Sequence, residues 1–347
     1  MLKFVEILKK HRTLLLLLLV SLVIKLFSLF PEAVEKWYSN GFYIYSSRLQ
    51  RWLFGWIPFS IGDLFYLIVI IYLLYIVFRL FKKIRVHYLY TMVKAFLIIY
   101  ISFNVLWGLN YNRLTIQERY DLELVSLDSQ KVCQFAQAMV NRLAAIGDVN
   151  EAFGHPPAFE LNRAADVMKS NAGYKAASVK PSLFGVLGNY LGYSGYYNPI
   201  TGEAQVNTKT PYFTVPFTTT HEIAHQLGCA KESEANFVGF LAASKSEDPV
   251  LRYSAYLDGY LYAQAYIKRM VPSMESYYHD QLPIWVLRDL DYLKEYWKKY
   301  KNPIDRLISI LYGEFLKANE QPEGMLSYSG LVTWLVAYAE KEGWDTL

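Results

Sequence analysis

The chain has 347 residues and a formal net charge of +4, and it is 53% hydrophobic, 17% aromatic and only 19% charged. Ordinary soluble domains carry about 25% charged residues, so a wholly soluble globule is excluded. The small net charge, with no long basic block, gives no footing for a nucleic-acid partner.

The apolar excess is concentrated at the start, which divides the chain into a membrane anchor over residues 1–112 and a more polar domain over 113–347. Three runs are long enough to cross a bilayer, which needs about 20 apolar residues. They lie at about 13–30, 61–80 and 90–109. The first follows Lys3, Lys9, Lys10 and Arg12, lacks a small-residue cleavage site and runs into Pro31, so an uncleaved anchor is expected rather than a signal peptide. Arg79, Lys82, Lys83, Arg85 and Lys94 lie between the second and third runs. The positive-inside rule then puts the N-terminus in the cytoplasm and 113–347 outside it, on a plasma (inner) membrane. Trp52, Trp56 and Trp107 fall at expected interfaces. Cys133 and Cys229 are read as two small buried residues rather than a pair.

Beyond the anchor, 126–147 and 158–173 read as helices, the first closed by Gly147. Residues 180–217 are rich in Gly, Pro, Asn and Tyr and read as turns with short extended pieces. Glu203, Ala204, Gln205, Val206 and Asn207 suggest an exposed strand, and Asn198 and Asn207 suit turn bracing. Helical texture returns from 218 and continues through 253–270, 282–300, 303–319 and 329–341. The expected fold is therefore mainly α, with a small strand-containing region before the helix that starts near Thr218.

That helix spells HEIAH at 221–225. On a helix, residues four apart share a face, so His221 and His225 could present two imidazoles to one metal. Glu222 is rotated by about 100° and stands beside the metal, where it can take a proton from water. Thr218 to Thr220 suit a first turn, and Gly228 suits the end. A catalytic zinc wants three protein ligands and an open position. Glu232 is the expected third ligand, with Glu234 the alternative. A helix from about Ala230 places Glu232, Ala235, Asn236, Gly239 and Ala243 on one small-residue face, and Asn236 could hydrogen-bond a ligating histidine. Purely structural histidines are the competing reading, but the apolar flanks Phe217, Ile223, Ala224 and Leu227 imply burial, where such groups need partners. His155 and His279 are read as surface or structural.

HEIAH followed by ExxAN resembles the gluzincin arrangement of zinc peptidases, and its Glu-x-x-Ala-Asn form is similar to that of metallopeptidases that cleave repressor proteins. More closely, the chain resembles the bacterial membrane proteins of domain of unknown function family 3810. The resemblance rests on WGLNYNR (107–113), KPSLFG (180–185), GYSGYYNPITGEAQVN (192–207), PFTTTHEIAHQLGCAKESEANFVGFLAA (216–243), RYSAY (252–256) and EGMLSYSG (323–330). Six residues separate His225 from Glu232, fewer than in many gluzincins. The resemblance implies a helical zincin-like domain holding one Zn2+ per chain, a peptide or protein substrate paired along the 203–207 strand, and an oxyanion donor. Tyr253, Tyr256 and Tyr328 are candidates for that donor, Tyr253 first.

The expected activity is hydrolysis of peptide bonds in envelope or membrane-proximal proteins, with the lipid bilayer as the other partner. Two rivals stand beside it. One is a non-catalytic zinc-binding sensor or envelope assembly factor. The other is an intramembrane protease, which the threonines, Gln226, Lys231 and Glu232 around the motif disfavour.

Overall fold

The computed structural model describes residues 2–82, 86–123, 125–150, 157–172, 177–322, 324 and 330–347. His155 and Tyr328 lie outside the described residues. The chain is mainly helical, with one three-stranded sheet among the described residues.

Helix α1 (Leu2–Phe27) ends before Pro31. The chain then bends by 101° into a second helical stretch, made of α2 (Pro31–Ala33), a π-helical segment over Val34–Phe42 and α3 (Tyr43–Phe54). Pro31 cannot continue α1, because it lacks an N–H, but it fits a first turn. The residues between the first two apolar runs are therefore largely helical. They bury Val34, Tyr38, Tyr43, Ser47, Gln50 and Arg51 and expose Trp37, Tyr45, Leu49 and Trp52. α4 (Ile61–Lys82) and α5 (Val86–Leu106) follow. Two helical segments, Ile61–Phe81 and Tyr88–Leu106, are long and apolar enough to cross a membrane, and the bent pair makes a third if it counts as one span.

A 3-10 turn over Gly108–Asn112 leads to α6 (Ile116–Tyr120), whose Thr115 and Glu118 form a capping box. α7 (Ser129–Ile146) is capped by Asp128 and closed by Gly147 at φ 81°, as its sequence implies. α8 (Pro157–Ala172), β1 (Val179–Pro181), α9 (Gly185–Leu191), β2 (Gly195–Asn198) and β3 (Glu203–Val206) precede α10 (Val215–Gln226) and α11 (Glu232–Ser244). The rest comprises α12 (Pro249–Met270), α13 (Glu275–Asp280), α14 (Ile284–Tyr300), α15 (Asp305–Ala318) and α16 (Gly330–Glu342). The core lies among α7, α10, α11, α12 and α16, where Phe135, Met139, Phe240, Tyr253 and Leu335 are fully buried. α12 packs along α7, and α11 along α10.

The sheet order is β1-β3-β2, with Val179 opposite Ala204 in the parallel pair and Tyr196 opposite Gln205 in the antiparallel pair. This corrects the expectation of an exposed strand at Glu203–Asn207. β3 is the central strand, both its edges are taken, and Glu203, Ala204, Gln205 and Val206 are all buried, so none of it is free to pair with a substrate. Asn198 and Asn207 do brace turns: Asn198 Oδ1 accepts from the N–H groups of Ile200 and Thr201, and Asn207 Oδ1 from that of Lys209.

Glu203 ties the sheet to the start of α4. Its carboxylate accepts from the N–H groups of Ile61 (3.2 Å) and Gly62 (2.6 Å), at the start of α4. A negative charge at a helix N-terminus is favourable, because the first N–H groups have no partner within the helix. Lys180 Nζ lies 2.9 Å from the same carboxylate, and both side chains are buried.

Candidate metal centre

α10 begins earlier than its threonines suggest. Pro216 occupies the first turn, whereas Thr219 and Thr220 lie inside the helix and donate back to the carbonyls of Val215 and Phe217. The helix ends as expected, with Gly228 at φ 86° just beyond Leu227. His221 and His225 share a face, their ring centroids 4.6 Å apart.

α11 crosses this helix at a glycine. A Cβ on Gly239 would stand 3.0 Å from the backbone N of His221 and 3.2 Å from its Cα. With Ala235 and Ala243 also buried, the small face read from the sequence is the contact surface. The close approach delivers Glu232, whose Oε2 lies 3.2 Å from His221 Nε2 and 3.4 Å from His225 Nε2. One ligand atom from each of the three lies within 4.8 Å of the others, and all three side chains are buried. Tyr312 of α15 donates its hydroxyl to Glu232 Oε1 at 2.9 Å. Glu234 points elsewhere, pairing with Arg119 at 2.9 Å and accepting from the N–H of Ile116.

The set fits a cation. His225 Nδ1 sits 2.6 Å from the carbonyl oxygen of Cys229, which can only accept, so Nδ1 carries a proton, and in the neutral ring Nε2 would offer its lone pair on the side of Glu232. His221 Nδ1 and Glu222 Oε2 are buried with no hydrogen-bond partner among the described residues. Without a cation, the charges lean on one another. Burial pulls His225 down, but the Glu232 charge and the Cys229 carbonyl outweigh it and lift the imidazole to about 9. Burial raises Glu232, yet both histidines hold it well below the usual carboxylate range. Burial lifts Glu222 to about 7 against the pull of His221 and His225. Two imidazoles and one carboxylate around an open side suit a divalent transition ion.

Glu222 faces a cavity of about 310 Å³. The wall opposite is β2. A Cβ on Gly195 would lie 2.5 Å from Glu222 Oε1, so any side chain at that position would occupy the place of this carboxylate. β2 is an edge strand. Asn207 N–H donates to Ser194 O, so by antiparallel alternation the backbone groups of Gly195 and Tyr197 point away from β3.

The N-terminal helical part of the chain completes the centre. Trp107 Nε1 donates to the carbonyl of His225 at 3.0 Å, the Tyr43 hydroxyl to that of Gln226 at 2.9 Å, and Arg113 to that of Gly228 at 3.2 Å. These oxygens lie at or just past the end of α10, where helix carbonyls lack internal partners and cations are favoured. Tyr66 of α4 and Phe103 of α5 line the cavity itself.

Three expectations change. Asn236 is buried beside α12 and donates to the Tyr262 hydroxyl at 3.1 Å, not to a ligand imidazole. Tyr253 is in the core and donates to Asp289 Oδ2 at 2.7 Å, so it cannot reach the cavity as an oxyanion donor. Tyr256 is likewise in the core, 3.4 Å from Ser244 O. The two cysteines are free, with Cys229 buried and Cys133 half-buried. His279 is exposed, beside Asp280. Sequence reasoning missed Gly195, Tyr43, Trp107, Arg113 and Tyr312. Gly195 and Trp107 lie inside the segments singled out above. Tyr43 could have been found from the spacing of Val34, Tyr38, Tyr43 and Ser47 at four to five residues.

A family described as protein of unknown function (DUF3810) has a model that matches residues 38–336. No curated protein and no solved structure matches the chain.

Proposed function

We propose that this chain, which belongs to the DUF3810 family, is a membrane-anchored zinc-dependent hydrolase that cleaves peptide bonds in membrane-proximal or envelope proteins. The observation that carries the reading is Glu222, which lines the cavity beside the His221, His225 and Glu232 set and whose buried Oε2 has no hydrogen-bond partner among the described residues. A purely structural site has no use for such a base and usually closes its fourth position.

His221, His225 and Glu232 would hold the zinc. When bound, zinc supplies Lewis acidity toward a carbonyl and toward water. Glu222 takes the proton of the attacking water and hands it to the leaving amine. Gly195 leaves room for that carboxylate, and the free edge of β2 offers main-chain groups to an extended substrate. Tyr312 and Gln321 hold Glu232, the first at its carboxylate and the second at its backbone N–H. The basic residues in the first half of α1 and around the α4–α5 junction support a cytoplasmic N-terminus, with the metal set on the outer side.

The test is metal content per purified chain, for wild type, His225→Ala and Glu222→Gln, together with hydrolysis of a peptide library. One zinc in wild type and in Glu222→Gln, none in His225→Ala, and hydrolysis by wild type alone are expected. No stoichiometric metal in folded, unchelated wild type would overturn the reading. Zinc in a Glu222→Gln protein that keeps the wild-type cellular phenotype would favour the sensor or assembly factor.

A further inference from the structure

α15 is exposed almost all round. Among its described side chains and backbone positions, the buried residues are Gly313 and Leu316. A different stripe, Leu307, Leu311 and Phe315, recurs every four residues, and Leu307 and Leu311 are each more than half exposed. Ile304 and Ile310 are exposed to a similar degree. α9 packs against α15 and shows the same character, with Leu183 just before it and Val186 and Leu187 on it all more than half exposed. A soluble domain rarely leaves so much contiguous apolar surface bare, and such a patch marks a partner.

The position of this shelf names the partner. Phe315 meets Phe103, one turn from the end of α5, with ring centroids 6.4 Å apart. The N–H of Leu183 donates to Asp63 in the first turn of α4 at 2.7 Å. Lys25, near the end of α1, lies 3.8 Å from Glu320, just past α15. The shelf is thus fastened to the same end of each apolar helix. The metal cavity opens between them, lined by Tyr66 of α4, Phe103 of α5, and Tyr312 and Phe315 of α15.

We propose that the α9–α15 shelf docks into the lipid of the leaflet that meets these helix ends, seating the mouth of the metal cavity in the bilayer interface. Amphipathic helices with exposed aliphatic residues lie in this zone with their apolar face among the acyl chains. The inference deepens the proposed function and rests on its membrane reading, but it does not require hydrolysis.

The experiment uses the full chain reconstituted in phosphatidylcholine vesicles that carry a diazirine in the acyl chain. After illumination, labelled peptides are mapped by mass spectrometry. Label on residues 305–318 and 183–190, at levels comparable to α4 and α5, is expected. In Leu307→Glu/Leu311→Glu, label on α15 should fall at least about fivefold while α4 and α5 keep theirs. Label confined to α1, α4 and α5 in wild type would overturn the proposal. An unlabelled α15 that cross-links between chains through a cysteine at position 311 would also overturn it, assigning the face to a second copy. No peptide cleavage is read, so a dry α15 and an inactive Glu222 are separate failures.

Discussion

The indole Nε1 of Trp107 donates to the main-chain carbonyl of His225 at 3.0 Å, while the two rings meet edge to face at 5.8 Å. A residue one position beyond α5 therefore holds the turn of α10 that carries His225, the second of the proposed zinc ligands. Removing the donor should loosen that ligand without removing it. For Trp107→Phe, we expect zinc affinity to fall by about tenfold, the lower end of the loss seen when a ligand's supporting partner is removed. Competition with a chelator measures it, and unchanged affinity would disconnect the Trp107 contact from the site.

Gly239 carries the crossing of α11 over α10. A methyl there would press on the backbone N and Cα of His221, neither of which can swing aside as a side-chain tip can. Gly239→Ala should cost about 1–3 kcal/mol, as overpacked cores do, and should lower zinc occupancy with it. Thermal unfolding in detergent and elemental analysis give the two readouts. A fully metallated variant would show that the helices can separate and still bring Glu232 to the histidines.

Lys180 and Glu203 form a buried pair at 2.9 Å, and Glu203 also caps the start of α4. Lys180→Met would leave the carboxylate buried without its partner charge, a loss of about 3–5 kcal/mol. Lys180→Met/Glu203→Gln should recover part of that loss, because the stranded charge is gone. Melting temperatures that rank wild type, double variant and single variant in falling order are the expected result.

Asp258 shows a pH dependence of opposite sign to the usual carboxylate. Burial lifts it from 3.8 to about 7. Between those values the unfolded chain has released the proton and the folded chain still holds it, so stability falls as pH rises. Asp258→Asn should therefore match wild type near pH 3.5, gain over it up to about pH 7 and level off above. Melting curves across that range decide it, and a gain at low pH would have the wrong sign.

Much of the centre is legible in the chain because it is local. Histidines four apart on a helix share a face whatever surrounds them. Gly228 ends α10 because only a residue tolerant of positive φ fits there. The spacing of Glu232, Ala235, Gly239 and Ala243 already describes a face small enough to meet another helix. Long apolar runs announce α4 and α5 in the same way, by length and composition.

What only the tertiary structure decides is non-local. Strand Glu203–Val206 has the alternation of an exposed strand, but β1 and β2 cover both of its edges, and no feature of four residues reports how many neighbours they acquire. Tyr253 is one of 30 tyrosines, and burial against Asp289, not residue type, removes it from the site. Tyr43 and Trp107 reach α10 from 182 and 118 positions away in sequence, a pairing that no periodicity encodes. A helix face follows from the 3.6-residue repeat of the backbone. Which distant surface fills that face is settled only when the whole chain packs.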